Sequence, residues 1–549
     1  MLVTCLTPIS CLLAQEETEK IDKSVQVVRT YKPEVKDAYK IDELPEITDT
    51  TQSQPDFNYY ILPKRVQTTF EVEPIPAATM VSEPITELYG NYINLAMGNK
   101  FAPLAEISLT NKRAKKRAYG VFLRHHSSAG KVPLGNHIKQ KTGYAVNQVT
   151  LFGKQIFPHA TLNAEFELNS NTRYFYGYNT HIQDTNLRKD DIRQNFTNVG
   201  FELGYKSTYL DSAHLNYDLQ INGHHLNDHF NTQENLLTFS ADFDRYFDNY
   251  HAGIQTNYSY LQHESEADSL NNNLLEISPW IAKYGNDWRL QGGVRFFADK
   301  AGGNTRAQMY PSVHMEYDMV SQYFIPYGGV DGKLAMNPYR SVTNKNPYIL
   351  PGTRIQNTNF NMILYAGIRG HLGPSTFYNA SIKYSIFENM HFFVNEYGLT
   401  DSMANQFNVV YSDGERTNLF GELSFDLSDE LNLRLEGNYY DYTLYDQSKP
   451  WHKPQFNLTI TGRYDLRDKI IFETDLFLSS ERWVKSPANV SESIKLKGFA
   501  DLNLGLEYRY SKVLSGYLKL QNILGKHYAI WQNYPVYGLQ VFLGVTYAF

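Results

Sequence analysis

A chain of 549 residues, 20% of them charged and 14% aromatic with 42 Tyr and 31 Phe, is too rich in rings for a disordered polymer. Its formal charge of −7, with basic residues scattered and not gathered into a stripe, gives no support to a nucleic-acid partner. No stretch reaches the ~18 consecutive apolar residues of a spanning helix, and the mean hydropathy is −0.46, so a membrane crossing would have to use strands with one apolar and one wet face.

Met1 to Ala14 is apolar and ends in Leu12-Leu13-Ala14 before Gln15, the pattern of a secretory signal with its cleavage site. The usual basic n-region is missing, which leaves open a start upstream of Met1. Pro8-Ile9-Ser10-Cys11 allows the alternative of a lipoprotein signal, although it is a poor lipobox. The only two cysteines, Cys5 and Cys11, lie here, so cleavage after Ala14 yields a chain without cysteine, as suits an oxidising compartment.

Residues 15–85 read as an extended periplasmic segment, with acidic pairs such as Glu16-Glu17 and seven prolines between Pro33 and Pro84. It contains short β-like pieces, Val25-Gln26-Val27-Val28 and Val66 to Val72.

From about residue 86 to Phe549 a period of two takes over. Ala213, Leu215, Tyr217, Leu219 and Ile221 alternate with polar residues, as do Phe456 to Tyr464 and Leu502 to Tyr510. In the final stretch Tyr537, Leu539, Val541, Leu543, Val545, Tyr547 and Phe549 share one face, opposite Gln540, Gly544, Thr546 and Ala548, with Phe542 the one large apolar residue out of phase. Such runs of about 11–15 residues exceed the ~5–6 of globular strands and match the ~9–11 that cross a bilayer. Short connections, among them Tyr209-Leu210-Asp211, Asp248-Asn249, Gly285-Asn286, Gly373-Pro374, Ser428-Asp429, 465–468 and Ser511-Lys512, alternate with long ones at 128–140, 177–194, 262–271, 334–356, 481–495 and 528–534. The reading is an all-β transmembrane antiparallel barrel of about 22 strands in the cell outer membrane of a Gram-negative bacterium, with short periplasmic turns and longer extracellular loops. An open sheet in hydrocarbon would leave edge N–H and C=O groups unpaired, so closure follows.

Two stretches carry a family resemblance. Asn346-Pro347-Tyr348-Ile349-Leu350-Pro351, followed by a strand with Tyr365-Ala366-Gly367, resembles the Asn-Pro-x-Leu-x-Pro-Glu…Gly stretch in barrels of TonB-dependent outer-membrane receptors, with Gly352 where that family usually has Glu. Leu518 to Tyr528, with Asn522-Ile523-Leu524-Gly525-Lys526-His527-Tyr528, resembles the family's Asn-Leu-Phe-Asp-Lys-x-Tyr ending, and Gly544-x-x-Tyr547-x-Phe549 resembles the signal read by the barrel-assembly machinery. The resemblance covers the barrel alone, because residues 15–85 do not resemble the family's plug domain. It implies transport or uptake of an unknown solute. Val25, Gln26, Val27 and Val28 match the short strand that such receptors offer to TonB by strand addition; the alternative is a strand paired elsewhere. A lumen this wide needs a seal, from inward-folded loops, from residues 15–85, or from a periplasmic or outer-membrane protein partner that fills or caps it. The second function class is a plugless structural or accessory barrel subunit of an outer-membrane complex.

No spacing assembles a nucleophile, base or metal, which argues against an enzyme and against a cofactor. His125-His126 and His224, His225 and His229 gather near the extracellular rim, as polar loop residues or as a metal site. Glu165, Glu167, Asp218, Arg463, Asp501, Glu507 and Arg509 fall on the lumen phase, solvated or paired across strands. Trp280, Trp288 and Trp451 suit interfacial girdles, and Trp483 and Trp531 lie in outer loops, placed to touch a ligand or a partner.

Overall fold

The computed structural model describes residues 89–549 apart from 112–114, 136, 179, 181–187, 210–213, 267–268, 302, 397–404, 429, 487–488 and 490. The signal reading at 1–14, the segment 15–85 and the strand at Val25–Val28 lie outside the described residues, as do Leu210, Asp211 and Asp429 of two expected turns.

Twenty-two strands form one sheet in which each strand pairs antiparallel with its neighbours in sequence. The first, Asn91–Gly98, closes the ring on the last, Gln540–Ala548, in a register that sets Tyr92 opposite Ala548 and Gly98 opposite Phe542. Phe549 joins the seam through its backbone, donating to the Asn91 carbonyl at 2.9 Å and accepting from the Asn91 N–H at 3.2 Å. Closure leaves no edge, as hydrocarbon demands. No helix among the described residues is long and apolar enough to cross a membrane.

The two faces sort as the alternation requires. On the last strand Leu543 and Val545 point outward, 64% and 50% exposed, whereas Gln540 and Thr546 point into the lumen and are buried. Phe542 also faces the lumen, where it packs edge-on against His126 with ring centroids 5.9 Å apart, and that contact accounts for its place among polar residues. Exposed apolar residues continue around the outer wall, including Leu123, Leu151, Phe166, Leu203, Phe239, Ile254 and Leu419. Water does not leave such a band bare; lipid covers it, and the chain is an outer-membrane barrel.

Inside, arginine–carboxylate pairs bridge strands that lie one or two apart in the sheet. Arg295 meets Glu276 at 2.8 Å and Asp331 at 3.1 Å, Arg369 meets Glu316 at 2.7 Å, and Arg463 meets Glu473 at 2.9 Å. Asp218 takes Lys206 at 3.2 Å, and Arg509 lies 3.9 Å from Asp465. Lumen-phase charges are therefore paired across strands as well as wet.

One inward network spans the seam. Tyr517 lies two strands from Asn94, and its hydroxyl reaches over the last strand to donate to Asn94 Oδ1 at 2.8 Å. Asn94 in turn donates to Glu106 at 2.8 Å, and Arg124 stands 3.3 Å from Glu106. The ring crosses at Gly544 because nothing projects there; a Cβ at that position would overlap Tyr517. Gly544→Val should therefore displace the ring and lower the temperature at which the band shifts on an SDS gel. Tyr517→Phe, which orphans one buried acceptor at about 1–3 kcal/mol, should lower it less. Unchanged shifts in both variants would show that the seam does not depend on this bridge.

Short connections of two to four residues, at 248–249, 285–287, 374–375, 467–469 and 510–513, mark one end, periplasmic by the rule for such barrels. An aromatic belt surrounds that end, with Tyr246, Phe247, Tyr250, Tyr284, Tyr317 and Tyr323 exposed and Trp280 and Trp288 beside them. At the other end several expected loops are strand. Arg117–Gly135 and Ile138–Ile156 run 19 residues each, and strands to Glu264 and from Ser269 carry regular pairing through most of 262–271. Gly130, Pro133 and Gly135 read as a loop, yet the hairpin keeps its ladder above the lipid band, since it needs no apolar outer face there.

Candidate functional site

The long connections fold over the mouth and form a roof. A single buried apolar cluster takes Val132 and Tyr144 from the third and fourth strands, Phe175, Tyr176 and Ile192 from the loop at 175–192, Tyr339, Val342, Tyr348 and Ile349 from the loop at 336–357, Phe393 and Phe407 from the strands Thr376–Asn395 and Phe407–Ser428, and Ile530 to Tyr537 from the last loop. These origins lie on opposite sides of a 22-strand ring, so the contacts can only form across the lumen.

Tyr534 sits at the centre. It stacks on Tyr348 at 3.8 Å between centroids, meets Tyr176 edge-on at 4.8 Å, and donates its hydroxyl to the Asn405 carbonyl. Two features make its loop. Asn522 adopts φ +49°, a conformation asparagine tolerates, and its Nδ2 donates to the carbonyls of Lys526 at 2.7 Å and Tyr537 at 2.8 Å, tying both ends of the loop together. The hairpin Ala529–Trp531 with Tyr534–Pro535 then turns the aromatic residues down.

The loop at 336–357 crosses from the opposite wall on a seven-residue helix, Tyr339–Lys345. Pro338 at its N-cap brings no side-chain hydrogen bond, and Glu234 from a distant strand supplies the acceptor: the N–H groups of Tyr339 and Arg340 both donate to its carboxylate, the latter at 3.0 Å. The Tyr339 hydroxyl donates to Asp228 at 3.0 Å, and burial and that carboxylate hold the phenol well above its ordinary range. Arg340 reaches Glu167 at 3.2 Å. Farther on, Tyr348 N–H donates to Asn346 Oδ1 at 3.0 Å, and Gly352 takes φ +73°, a left-handed turn that glutamate would strain.

His452 locks the loop at 445–455 to the roof. Its Nδ1–H donates to the Phe393 carbonyl at 2.8 Å and its Nε2 accepts from the Gln532 N–H at 3.4 Å, which fixes the neutral tautomer. Burial pushes its pKa down to about 3, so it is uncharged at any physiological pH. Arg482 donates to the carbonyls of Ile530 at 2.9 Å and Ala529 at 2.8 Å.

Beneath the roof a cavity of about 420 Å³ opens against the inner wall. Trp531, His452, Lys453 and Arg482 face it from above, and Lys383, Arg416, Phe420, Tyr440 and Tyr442 from the strands. Lys383 and Arg416 carry a signal in the sequence, since both occupy the inward phase of long alternating strands; Lys453, in a loop, carries none.

The residues that stand out in the sequence fare unequally. Gly544, Tyr547 and Phe549 share the closing edge, Gly544 inward and the other two exposed outward with rings 5.7 Å apart. The histidine doublets split, because successive strand residues face opposite ways: His126 turns inward to Tyr144 at 2.8 Å and His225 outward to Asn235 at 2.7 Å. Among the described residues no three His, Cys, Asp or Glu side chains converge as metal ligands. Trp451 is not in a girdle; it is buried with Phe387, Met390 and Phe392, its indole N–H on Gln447 at 3.0 Å. Trp483 packs at the margin of that group, between Lys449 and Lys495.

No protein-family model matches the sequence, and no curated protein matches it. The fold is similar to that of the FrpB iron transporter of Neisseria meningitidis (F3-3 variant), with a TM-score of 0.65 and 12% identity over 85% of this chain and 82% of that one. It is also similar to the siderophore receptor PirA of Acinetobacter baumannii, at 0.64 and 9% over 85% and 81%, and to the copper transporter OprC, at 0.62 and 12% over 84% and 82%. At these identities the likeness is one of fold: a closed 22-strand barrel that resembles the barrel of TonB-dependent receptors.

Proposed function

We propose that the barrel is an outer-membrane uptake receptor whose solute enters at the loop end and passes the lumen when the roof moves. The observation that carries this reading is the roof itself. The wall encloses a wide polar interior, and among the described residues it is the loop end that covers its outer mouth, so a rearrangement of loops would admit a solute without opening the sheet. FrpB, PirA and OprC, which share the fold, bear names that tie them to iron, siderophores and copper, and this makes metals and their chelates the first solutes to try. Cells with and without the chain should differ in accumulation of radiolabelled iron or copper, supplied free or chelated, by several-fold for at least one form. Equal accumulation of every form would remove the metal reading, and equal growth on all solutes tested would remove uptake.

In this reading Val25, Gln26, Val27 and Val28 present a strand to a TonB-like energy coupler, and a periplasmic partner caps the lower mouth. Gly544, Tyr547 and Phe549 serve as the signal for the barrel-assembly machinery. Removing Phe549 should then cut the heat-shifted fraction in membranes while leaving the roof contacts of the remaining barrels intact.

A further inference from the structure

We infer that copies of this chain stand side by side in the outer membrane, the basic outer face of one barrel against the acidic outer face of the next. Above the lipid band the third to sixth strands turn cations outward. Lys131 and Lys141 lie directly opposite each other, Lys139 lies opposite Pro133, and all three lysines are exposed. Lys189 in the following loop holds its Nζ 4.4 Å over the Tyr174 ring, and Arg193 is exposed opposite Tyr174. Among the described residues none of these five cations meets a carboxylate at ion-pair distance. The acids nearest in the chain are Asp190 and Asp191, and Asp191 lies 4.0 Å from Arg188. Like charges directly across a ladder destabilise it, so the sheet itself gains nothing from Lys131 beside Lys141.

The fifteenth to seventeenth strands, Thr376–Asn395, Phe407–Ser428 and Leu431–Leu444, carry the opposite charge at the same end. Asp413 and Glu415 continue the outward phase of Leu419, and Asp441 lies opposite Thr417 in that phase. Asp446, exposed, accepts from the Asp413 N–H at 2.8 Å, and Glu415 accepts from the Tyr445 hydroxyl at 2.6 Å. Among the described residues none of these four carboxylates pairs with a cation. Lys449, in the loop above, lies over the Trp483 ring at 4.6 Å. Arg354, on another loop, is joined to this wall through its carbonyl, which accepts from the Tyr411 hydroxyl at 3.2 Å.

The two patches are placed to meet. In ring order the sixteenth strand lies eleven strands from the fifth, half of the 22. Tyr174 is six residues beyond the exposed Leu168, and Asp413 is six beyond the exposed Leu419. Both patches therefore rise roughly 15 Å above the last lipid-facing apolar residue, given the rise and tilt of barrel strands. Barrels in one membrane share depth and orientation, so a patch meets only what its neighbour carries at that height. Opposite charges on opposite sides then meet by translation, a heterologous contact that extends in rows. Below them apolar walls touch without leaving hydrocarbon and gain no hydrophobic energy, so the charges set partner and register.

The inference does not depend on the uptake reading. A chain carrying both Lys141→Cys and Glu415→Cys, treated in isolated outer membranes with a short bismaleimide, should give a ladder of dimers, trimers and larger species on a gel. Either single variant should give at least tenfold less dimer, and the unsubstituted chain, with cysteines at positions 5 and 11 alone, is the control. Adding Lys131→Glu with Lys139→Glu should lower the ladder at least fivefold while the heat-shifted band persists, and adding Asp441→Lys with Asp446→Lys to that chain should restore it. Abundant dimer from a single variant would mean a two-fold contact, and a ladder unchanged by charge reversal would mean crowding alone; either overturns the inference. So does the absence of a ladder, and lipopolysaccharide that co-purifies with the chain but not with Lys131→Glu, Lys139→Glu would then assign the basic face to lipid phosphates.

Discussion

Arginine at Leu543 or Val545 is expected to abolish most membrane insertion, and arginine at Gln540 or Thr546 is expected to be tolerated far better. All four positions lie on one nine-residue strand, so strand propensity and distance from the C-terminus differ little among them. What differs is the face. Leu543 and Val545 are 64% and 50% exposed on the outer wall, and an arginine in the lipid midplane costs about 2–4 kcal/mol. Gln540 and Thr546 face the lumen side beside Gln521 and Ser515, buried among polar side chains whose oxygens can accept from a guanidinium. The strand also closes the ring, pairing Leu543 with Met97 and Val545 with Leu95, so a failure there leaves an unsatisfied edge on both sides. The measurement is the heat-shifted fraction in purified outer membranes. Equal yields from the two pairs would mean that the faces are assigned the wrong way round.

That phase is legible in the sequence alone, and the reason is physical: a strand's two faces meet different solvents, and the pattern is written into every second residue. Strand number follows from turns that the bilayer keeps short on one side. The roof is not legible in this way. Tyr176, Tyr348, Tyr534 and Trp531 sit in segments with no period of their own, and their partners are up to several hundred positions away. Tyr348 stands out only as part of a family-like stretch and Trp531 only as an outer-loop aromatic free to touch a ligand; the contact between their neighbourhoods depends on how the barrel curves. Trp451 misleads for the same reason. A tryptophan near a strand end suits an interface by composition, and only the packing of Phe392 against it reveals a loop core. The cavity lies between these cases, since Lys383 and Arg416 keep strand phase and Lys453 does not.

Replacing Tyr534 with Ala should unlock the roof while the wall stays whole. The side chain is almost fully buried, packs on Tyr348, Tyr176 and Phe407, and holds the Asn405 carbonyl, so its loss combines a cavity with an orphaned acceptor. Large-to-small changes at buried aromatics cost about 3–5 kcal/mol, enough to release a set of loops whose stability is separate from that of a 22-strand ring. Hydrogen exchange should rise across 336–357 and 522–539, the heat-shifted band should remain, and single-channel conductance in planar bilayers should rise from near zero. The same recording decides what residues 15–85 do. With the roof intact, deleting them should leave the channel closed, because one seal is sufficient. With Tyr534→Ala, a full-length chain that conducts strongly leaves the roof as the only barrier. A variant that stays closed until 15–85 are also removed would instead place a second seal in that segment. If Tyr534→Ala stays closed with and without the segment, the aromatic cluster is not the gate, and the uptake reading loses the observation on which it stands.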